Sequence, residues 1–352
     1  LSTKLVVESQ NTTGNNGLFS SFNYVGGTAG RLSYTTYYQK RLGNGWRQNS
    51  YFNTDHSHAE LSYAISNKLK VGAQMTYMYT QSQQAGGLTD AAFAQNAQQS
   101  SRARNWFSNP WLIYALTADY VINADSKLSW KYFGTTAERS SVGFTKPITE
   151  VDPLGNRQID RDYYQTNGAE LRYLVNYQIG SWKNTLASGL RYSSGEIKRK
   201  QLGVGSNGNG MDFEIQGLYT RDLVFHNTNY AAFAETILRP SERWLFTVGG
   251  RLEQIETHMA GQSGLSSTGT PIAATPSSRG RSFVLLGAGT EYKLSANTKI
   301  YSNIAQAYRP VLASDLLPPA TTDVIDPNLS DAKGFNFDLG YRGELGNYLT
   351  FD

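Results

Sequence analysis

Leu69-Lys70-Val71-Gly72-Ala73-Gln74-Met75-Thr76-Tyr77-Met78-Tyr79-Thr80 alternates at period two. Successive side chains of a strand point to opposite faces. Leu69, Val71, Ala73, Met75, Tyr77 and Tyr79 therefore share one face, and Lys70, Gly72, Gln74, Thr76, Met78 and Thr80 the other. The same beat recurs along the chain. Leu171, Tyr173, Val175, Tyr177 and Ile179 alternate with Arg172, Leu174, Asn176, Gln178 and Gly180. Trp244, Phe246, Val248, Gly250 and Leu252 alternate with Arg243, Leu245, Thr247, Gly249 and Arg251. Phe335, Phe337, Leu339 and Tyr341 alternate with Asn336, Asp338, Gly340 and Arg342. One face is apolar and aromatic, the other largely polar, and no helical stretch competes with this pattern.

Composition narrows the class further. The 352 residues include 23 Tyr, 15 Phe and 6 Trp. Such aromatic content excludes a disordered chain. Tyr, with an apolar ring and a polar tip, suits a surface that meets both apolar matter and water. Cysteine is absent, which removes disulfides, thiolate metal sites and thiol nucleophiles. A net charge of +4 is mild for this length and gives no reason to expect nucleic acid as a partner. No run of about eighteen apolar residues is present, so no transmembrane helix is expected. No signal peptide is visible. The chain opens at Leu1 and stops at Asp352 inside alternating runs, and it reads as a piece of a longer protein.

The connections decide between a soluble and a membrane sheet. Short ones fall at residues 26–30, 66–68, 123–126, 180–181, 239–242, 295–298 and 345–347. Long polar ones fall at residues 10–17, 41–49, 81–108, 139–160, 201–227, 258–280 and 310–330. Short and long alternate, so an up-and-down meander would carry tight turns at one end and large loops at the other, as outer-membrane barrels do. The reading gives about fifteen strands, most longer than the ten or so residues that cross an apolar band. The fold expected is all-β, an antiparallel up-and-down transmembrane β-barrel with its apolar face to lipid and its polar face to a lumen. A lipid-facing sheet cannot keep an open edge. Residues 1–352 are thus expected to form one partial barrel domain, about fifteen strands of a 22-stranded closed barrel.

Several stretches carry a family resemblance. Gly86-Gly87-Leu88-Thr89-Asp90-Ala91-Ala92-Phe93 and Ser101-Arg102-Ala103-Arg104-Asn105-Trp106-Phe107 resemble the third extracellular loop of ferric-citrate-type TonB-dependent outer-membrane receptors. Gly45-Trp46-Arg47-Gln48-Asn49-Ser50 resembles the segment one hairpin earlier. Ala305-Gln306-Ala307-Tyr308-Arg309-Pro310, Ile325-Asp326-Pro327-Asn328-Leu329 and Gly334-Phe335-Asn336-Phe337-Asp338-Leu339-Gly340-Tyr341-Arg342-Gly343 resemble the late barrel of the same group. The resemblance implies a bacterial outer-membrane receptor for a ferric chelate, citrate or a related siderophore, energised through TonB. It also implies an N-terminal plug before Leu1 and closing strands after Asp352. Its partners would be the chelate, TonB by way of the plug, and outer-membrane lipid. No resident cofactor is implied, iron being carried within the chelate, and no enzymatic activity. A passive porin, or a barrel with a lipase or protease site at its rim, is the alternative. No Gly-x-Ser-x-Gly elbow supports hydrolysis.

Arginines are the candidate ligand-binding residues. Arg102 and Arg104 sit in the 81–108 connection, Arg139, Arg157 and Arg161 frame the next one, and Arg309 stands where a strand enters the loop after it. A ferric tricarboxylate is a compact polyanion, and the planar guanidinium gives it bidentate, charge-assisted hydrogen bonds. The competing role for each arginine is pairing with Asp90, Glu138, Asp152, Asp160 or Asp162. Trp106, Phe107, Trp111 and Tyr114 read as an aromatic girdle at the membrane interface rather than a ligand wall. Arg172, Arg191, Glu235, Arg251, Glu253, Asp338 and Arg342 alternate with apolar residues and should face the lumen. His56 and His58 share a strand face near Asp55 and Glu60. They read as a solvated strand end rather than a metal site, which needs three or four converging ligands. Gly205-Ser206-Asn207-Gly208-Asn209-Gly210 reads as a flexible loop tip, since no helix or Lys follows it.

Overall fold

The computed structural model describes residues 3–311, 329–346 and 348–352. Among them, sixteen strands form one antiparallel sheet. In chain order they are β1 (Val6–Gly14), β2 (Leu18–Ala29), β3 (Leu32–Gly43), β4 (Phe52–Ala64), β5 (Leu69–Gln83), β6 (Trp106–Asn123), β7 (Ser126–Gly143) and β8 (Gln158–Ile179). There follow β9 (Trp182–Val204), β10 (Arg221–Leu238), β11 (Trp244–Leu265), β12 (Pro271–Ala273), β13 (Ser277–Lys293), β14 (Thr298–Arg309), β15 (Ala332–Leu345) and β16 (Leu349–Phe351). Each strand pairs with its neighbours in sequence, except that β12 is a short arm on β11, and β11 goes on to pair with β13. One helix interrupts the β pattern: α1 (Asp90–Gln95), between β5 and β6, capped by Thr89, whose hydroxyl accepts from the Ala92 amide at 3.2 Å.

Register follows the side-chain period across the whole sheet. Directly opposed residues run Leu32, Tyr63, Val71, Ala118, Trp130, Leu171, Leu190, Ala232, Leu252 and Val284 from β3 to β13, and every rung is apolar. One residue away, on the opposite face, the ladder reads Ser33, Ser62, Gly72, Thr117, Lys131, Glu170, Arg191, Ala231, Glu253 and Phe283. The apolar face is the exposed one: Leu190 is 62% and Val284 53% accessible. That is the inverse of a soluble sandwich, whose apolar face is its core. It matches a barrel wall.

The band has a defined height. On β11 the exposed face runs Trp244, Phe246, Val248, Gly250, Leu252 and then turns polar at Gln254, Glu256 and His258. Trp244 to Leu252 spans roughly 27 Å of strand, which a tilt of about 40° reduces to ~20 Å of height. The charges expected on the polar face lie there and largely satisfy one another. Glu170 takes both Arg172 and Arg191, Arg251 bonds Glu253, and Arg342 bonds Asp352.

Four expectations change. Residues 10–17 are not a long loop: β1 runs to Gly14, and Asn16 and Gly17, both at positive φ, turn the chain within residues 15–17. Residues 26–29 belong to β2, which leaves a turn at Gly30-Arg31. His56 and His58 are interior to β4 and half-buried, bonded to Tyr37 at 3.2 Å and Thr76 at 2.7 Å. Trp111 stands opposite Met78 and Ala137 and so faces the lumen, while Tyr114, opposite Met75, is on the apolar face. Tyr132, Tyr192 and Tyr230 form an aromatic rim just above the apolar ladder on β7, β9 and β10, and Tyr34 lies on the same rung of β3. Of the expected connection at residues 310–330, residues 312–328 lie outside the described residues, and with them all of the Ile325–Leu329 stretch but Leu329.

Candidate functional site

The strands outrun the band at one end. β8 and β9 have 22 and 23 residues, and at this end of the sheet the connections at residues 44–51, 84–105, 144–157 and 205–220 meet in one layer. The other end has turns as short as Gly180-Ser181, with Gly180 at φ 60°. The site is built in the loop layer.

Four arginines hold that layer together. Arg47 donates to the Gly86 and Gln99 carbonyls at 2.9 and 2.8 Å. Arg102 reaches the carbonyls of Lys146, Pro147 and Glu150 at 2.6, 2.9 and 3.3 Å and lies over the Phe144 ring. Arg104 makes a forked pair with Asp152, Nε to Oδ2 at 2.9 Å and Nη2 to Oδ1 at 2.6 Å, and also donates to the Asn207 carbonyl at 2.7 Å. Arg157, only 1% accessible, donates to the carbonyls of Arg104 and Gly210 at 3.1 and 2.7 Å and to Ser206. Buried carbonyls need donors, and a guanidinium supplies five in fixed directions, so one side chain can fasten two loops.

Smaller groups complete the fastening. Asn105 pairs with the Phe144 backbone in both directions, at 3.1 and 2.8 Å. Trp106 donates to the Asn209 carbonyl at 2.7 Å. Gly86 sits at φ 73° against Arg102, where an added Cβ would lie 2.5 Å from the arginine's Cγ. The 205–210 stretch is thus a fastened acceptor segment, not the free tip its glycines suggested.

Electrostatics follow the same pattern. The hydrogen bond from Arg104 holds the Asp152 carboxyl below its ordinary range, and the Leu154 amide and nearby Arg102 add to this against the cost of burial. Burial draws the Arg157 guanidinium below its ordinary value, with Arg104 adding repulsion. Asp212 is lowered, first by the Glu214 amide.

The six arginines expected to meet ligand therefore divide. Arg102, Arg104 and Arg157 are buried among backbone carbonyls and Asp152. Arg161 shares the apolar ladder's face, ten residues above Leu171 by β8 numbering, and pairs with Glu138 at 2.8 Å. Arg139 is on the lumen face, with its side chain 54% accessible, over the Phe107 ring and 3.7 Å from Asp162. Arg309 ends β14 and is exposed. The sequence reading missed Arg47 as a clamp and Arg199 as a lumen residue. Arg199 lies 3.5 Å from Asp162, which it shares with Arg139. Its position in the alternation Arg191, Ser193, Gly195, Ile197, Arg199 was the available signal. Of the carboxylates named as competing partners, Asp152, Glu138 and Asp162 take arginines, while Asp160 accepts from Gln158 and the Leu202 amide.

A long-stranded antiparallel meander with an apolar exterior and one end gathered into a loop layer defines a large barrel wall built for a membrane. The family model described as TonB dependent receptor-like, beta-barrel matches residues 3–352, and the chain belongs to that family. Solved structures agree in fold. The unliganded ferric citrate transporter FecA is similar with a TM-score of 0.78 at 19% identity, covering 97% of this chain and 49% of that one. The siderophore receptor PiuA from Acinetobacter baumannii gives 0.76 at 12% identity, covering 98% and 55%. The copper transporter OprC gives 0.74 at 14% identity, covering 98% and 52%. The chain spans about half the length of these structures. No curated relative matches the sequence.

Proposed function

We propose that residues 1–352 are the barrel portion of an outer-membrane receptor that admits an anionic ferric chelate, of citrate or siderophore type, at its loop-layer end. In the intact protein a plug fills the lumen, further strands complete the wall, and TonB supplies the energy. The part is non-enzymatic. Iron travels as cargo within the chelate rather than as a resident cofactor, and surrounding lipid is a further partner.

The observation that carries the ligand reading is the Arg139–Asp162–Arg199 group. Two guanidiniums share one carboxylate on the lumen face, so neither is matched one to one by Asp162. Arg139 stays accessible, over an aromatic ring. A carboxylate-rich chelate meets there a planar, permanently charged donor. Arg309, exposed at the end of β14, is a further candidate ligand contact. Arg102, Arg104 and Arg157 serve it indirectly, by fixing the loops. Fold alone does not choose the cargo. The test is titration of the intact receptor with ferric citrate, read by tryptophan fluorescence. Joint Arg139→Ala and Arg199→Ala replacement should weaken binding at least tenfold. A folded receptor that binds no ferric chelate would overturn the reading.

A further inference from the structure

The apolar ladder is not evenly filled. On β7–β11 its bulky side chains are broken by Ala169, between Tyr132 and Tyr192, and by Ala232, between Leu190 and Leu252. The gap is a groove of about 440 Å³ bordered by Trp130, Leu171, Leu190, Tyr192, Tyr230 and Leu252. That volume lies within the roughly 300–1,000 Å³ of small-molecule sites. The groove is overwhelmingly apolar, and the bulky side chains that border it belong to the exposed face within the band, with Glu170, Arg191 and Ala231 of the opposite face meeting it between them. We infer that it holds the acyl chain of a bilayer lipid; this rests on reading the ladder as the lipid-facing surface.

Two observations favour that occupant. First, the groove is continuous with the apolar rungs on either side, Trp130 to Val284, so an occupant must come from the medium that covers those rungs. Second, its upper end changes chemistry at one level. Tyr192 and Tyr230 stand side by side with ring centroids 5.0 Å apart, and among the described residues neither hydroxyl has a hydrogen-bond partner within the chain. Gln254 closes that end, and Asn167, Ser194 and Thr228 occupy the next rung. An acyl chain ends in an ester, whose carbonyl accepts hydrogen bonds and donates none. Two unengaged phenol donors above a greasy slot fit that junction. The ion pairs higher on this face, Arg161–Glu138, Lys198–Glu196 and Lys200–Asp222, are internally balanced and leave the lower donors as the distinguishing feature.

The experiment reconstitutes the intact receptor in nanodiscs containing a phosphatidylcholine with a photoreactive diazirine on its acyl chain. Cross-links are mapped by mass spectrometry. Labelling at Trp130, Leu190, Tyr230 and Leu252 should exceed that at Leu61 and Val284, elsewhere on the band, by at least threefold. Ala232→Phe, which fills the gap on an exposed face, should remove that excess and leave Leu61 and Val284 unchanged; Ala169→Phe provides a second filled variant. Equal labelling around the band would overturn the groove while leaving the lipid-facing surface intact. Absence of labelling on all these rungs would overturn both. A protected groove in a cross-linked dimer would assign the slot to a second copy and overturn the lipid reading.

Discussion

The wall and the loop layer use the same residue types in opposite ways. In the wall, period-two alternation sorts side chains by face: Val248 meets the outside and Thr247, one residue earlier, meets the lumen. In the layer, sorting is by hydrogen bond, and arginine, a residue almost never fully buried unless paired, is buried at Arg102, Arg104 and Arg157. Arg157 is as sealed as Ile159 two residues on. The contrast teaches that charge count in a loop says little about exposure. Backbone carbonyls freed from sheet pairing must find donors, and a guanidinium is the densest source of them.

The largest expected effect tests the layer. Arg104→Ala strips Asp152, which is largely buried, of its forked partner and leaves it only the Leu154 amide, a change that costs up to about 3–5 kcal/mol in comparable buried pairs. Hydrogen exchange should rise across residues 84–105, 144–157 and 205–220 while β1–β5 amides keep their protection. Uniform exchange across wall and layer would erase the distinction between them.

Next comes the wall. Val248→Lys should destabilise the barrel by about 2–4 kcal/mol in bilayer, and Thr247→Lys by less than about 0.5. Urea titration of folding into vesicles measures both. Equal costs would mean that the faces are misassigned.

Acid provides the third test. The folded Asp152 pKa lies below the unfolded value of about 3.9. Its stabilising contribution is therefore complete above that pH and is lost as pH falls through the depressed value. Exchange in the three loops should stay flat from neutral pH down to about 4 and then rise, after correction for intrinsic rates. Asp152→Asn should abolish that step.

The smallest stability effect belongs to Arg139→Ala, within about 0.5 kcal/mol because the side chain is half exposed. A shift in melting temperature like that of Arg104→Ala would move Arg139 into the fastening set.

The wall was almost fully legible in sequence, because lipid on one side and water on the other impose a strict period of two. Even there, extrapolation failed at Trp111: an aromatic near a strand's upper end looks like a girdle residue until the register sets it beside Met78. The layer was only half legible. Asp152 was foreseen as a partner for arginine. That Arg102 and Arg157 would turn to carbonyls was not, because backbone acceptors carry no sequence mark and the residues they belong to lie 44 to 53 positions away. The small cluster of Leu223, Phe225 and Ala274 also escaped notice, since it forms only when the chain beyond β12 folds back over β10.

One irregularity joins the two regions. Between Ile159 and Arg161 the pairing of β8 with β9 slips by one residue, Leu202 adopts φ 60°, and its amide is taken by the Asp160 carboxylate. Below this joint an added or lost residue would turn a strand inside out. Above it, the phase has already been reset. On this strand pair, the connections beyond the joint can therefore change in length without carrying a register shift into the wall below.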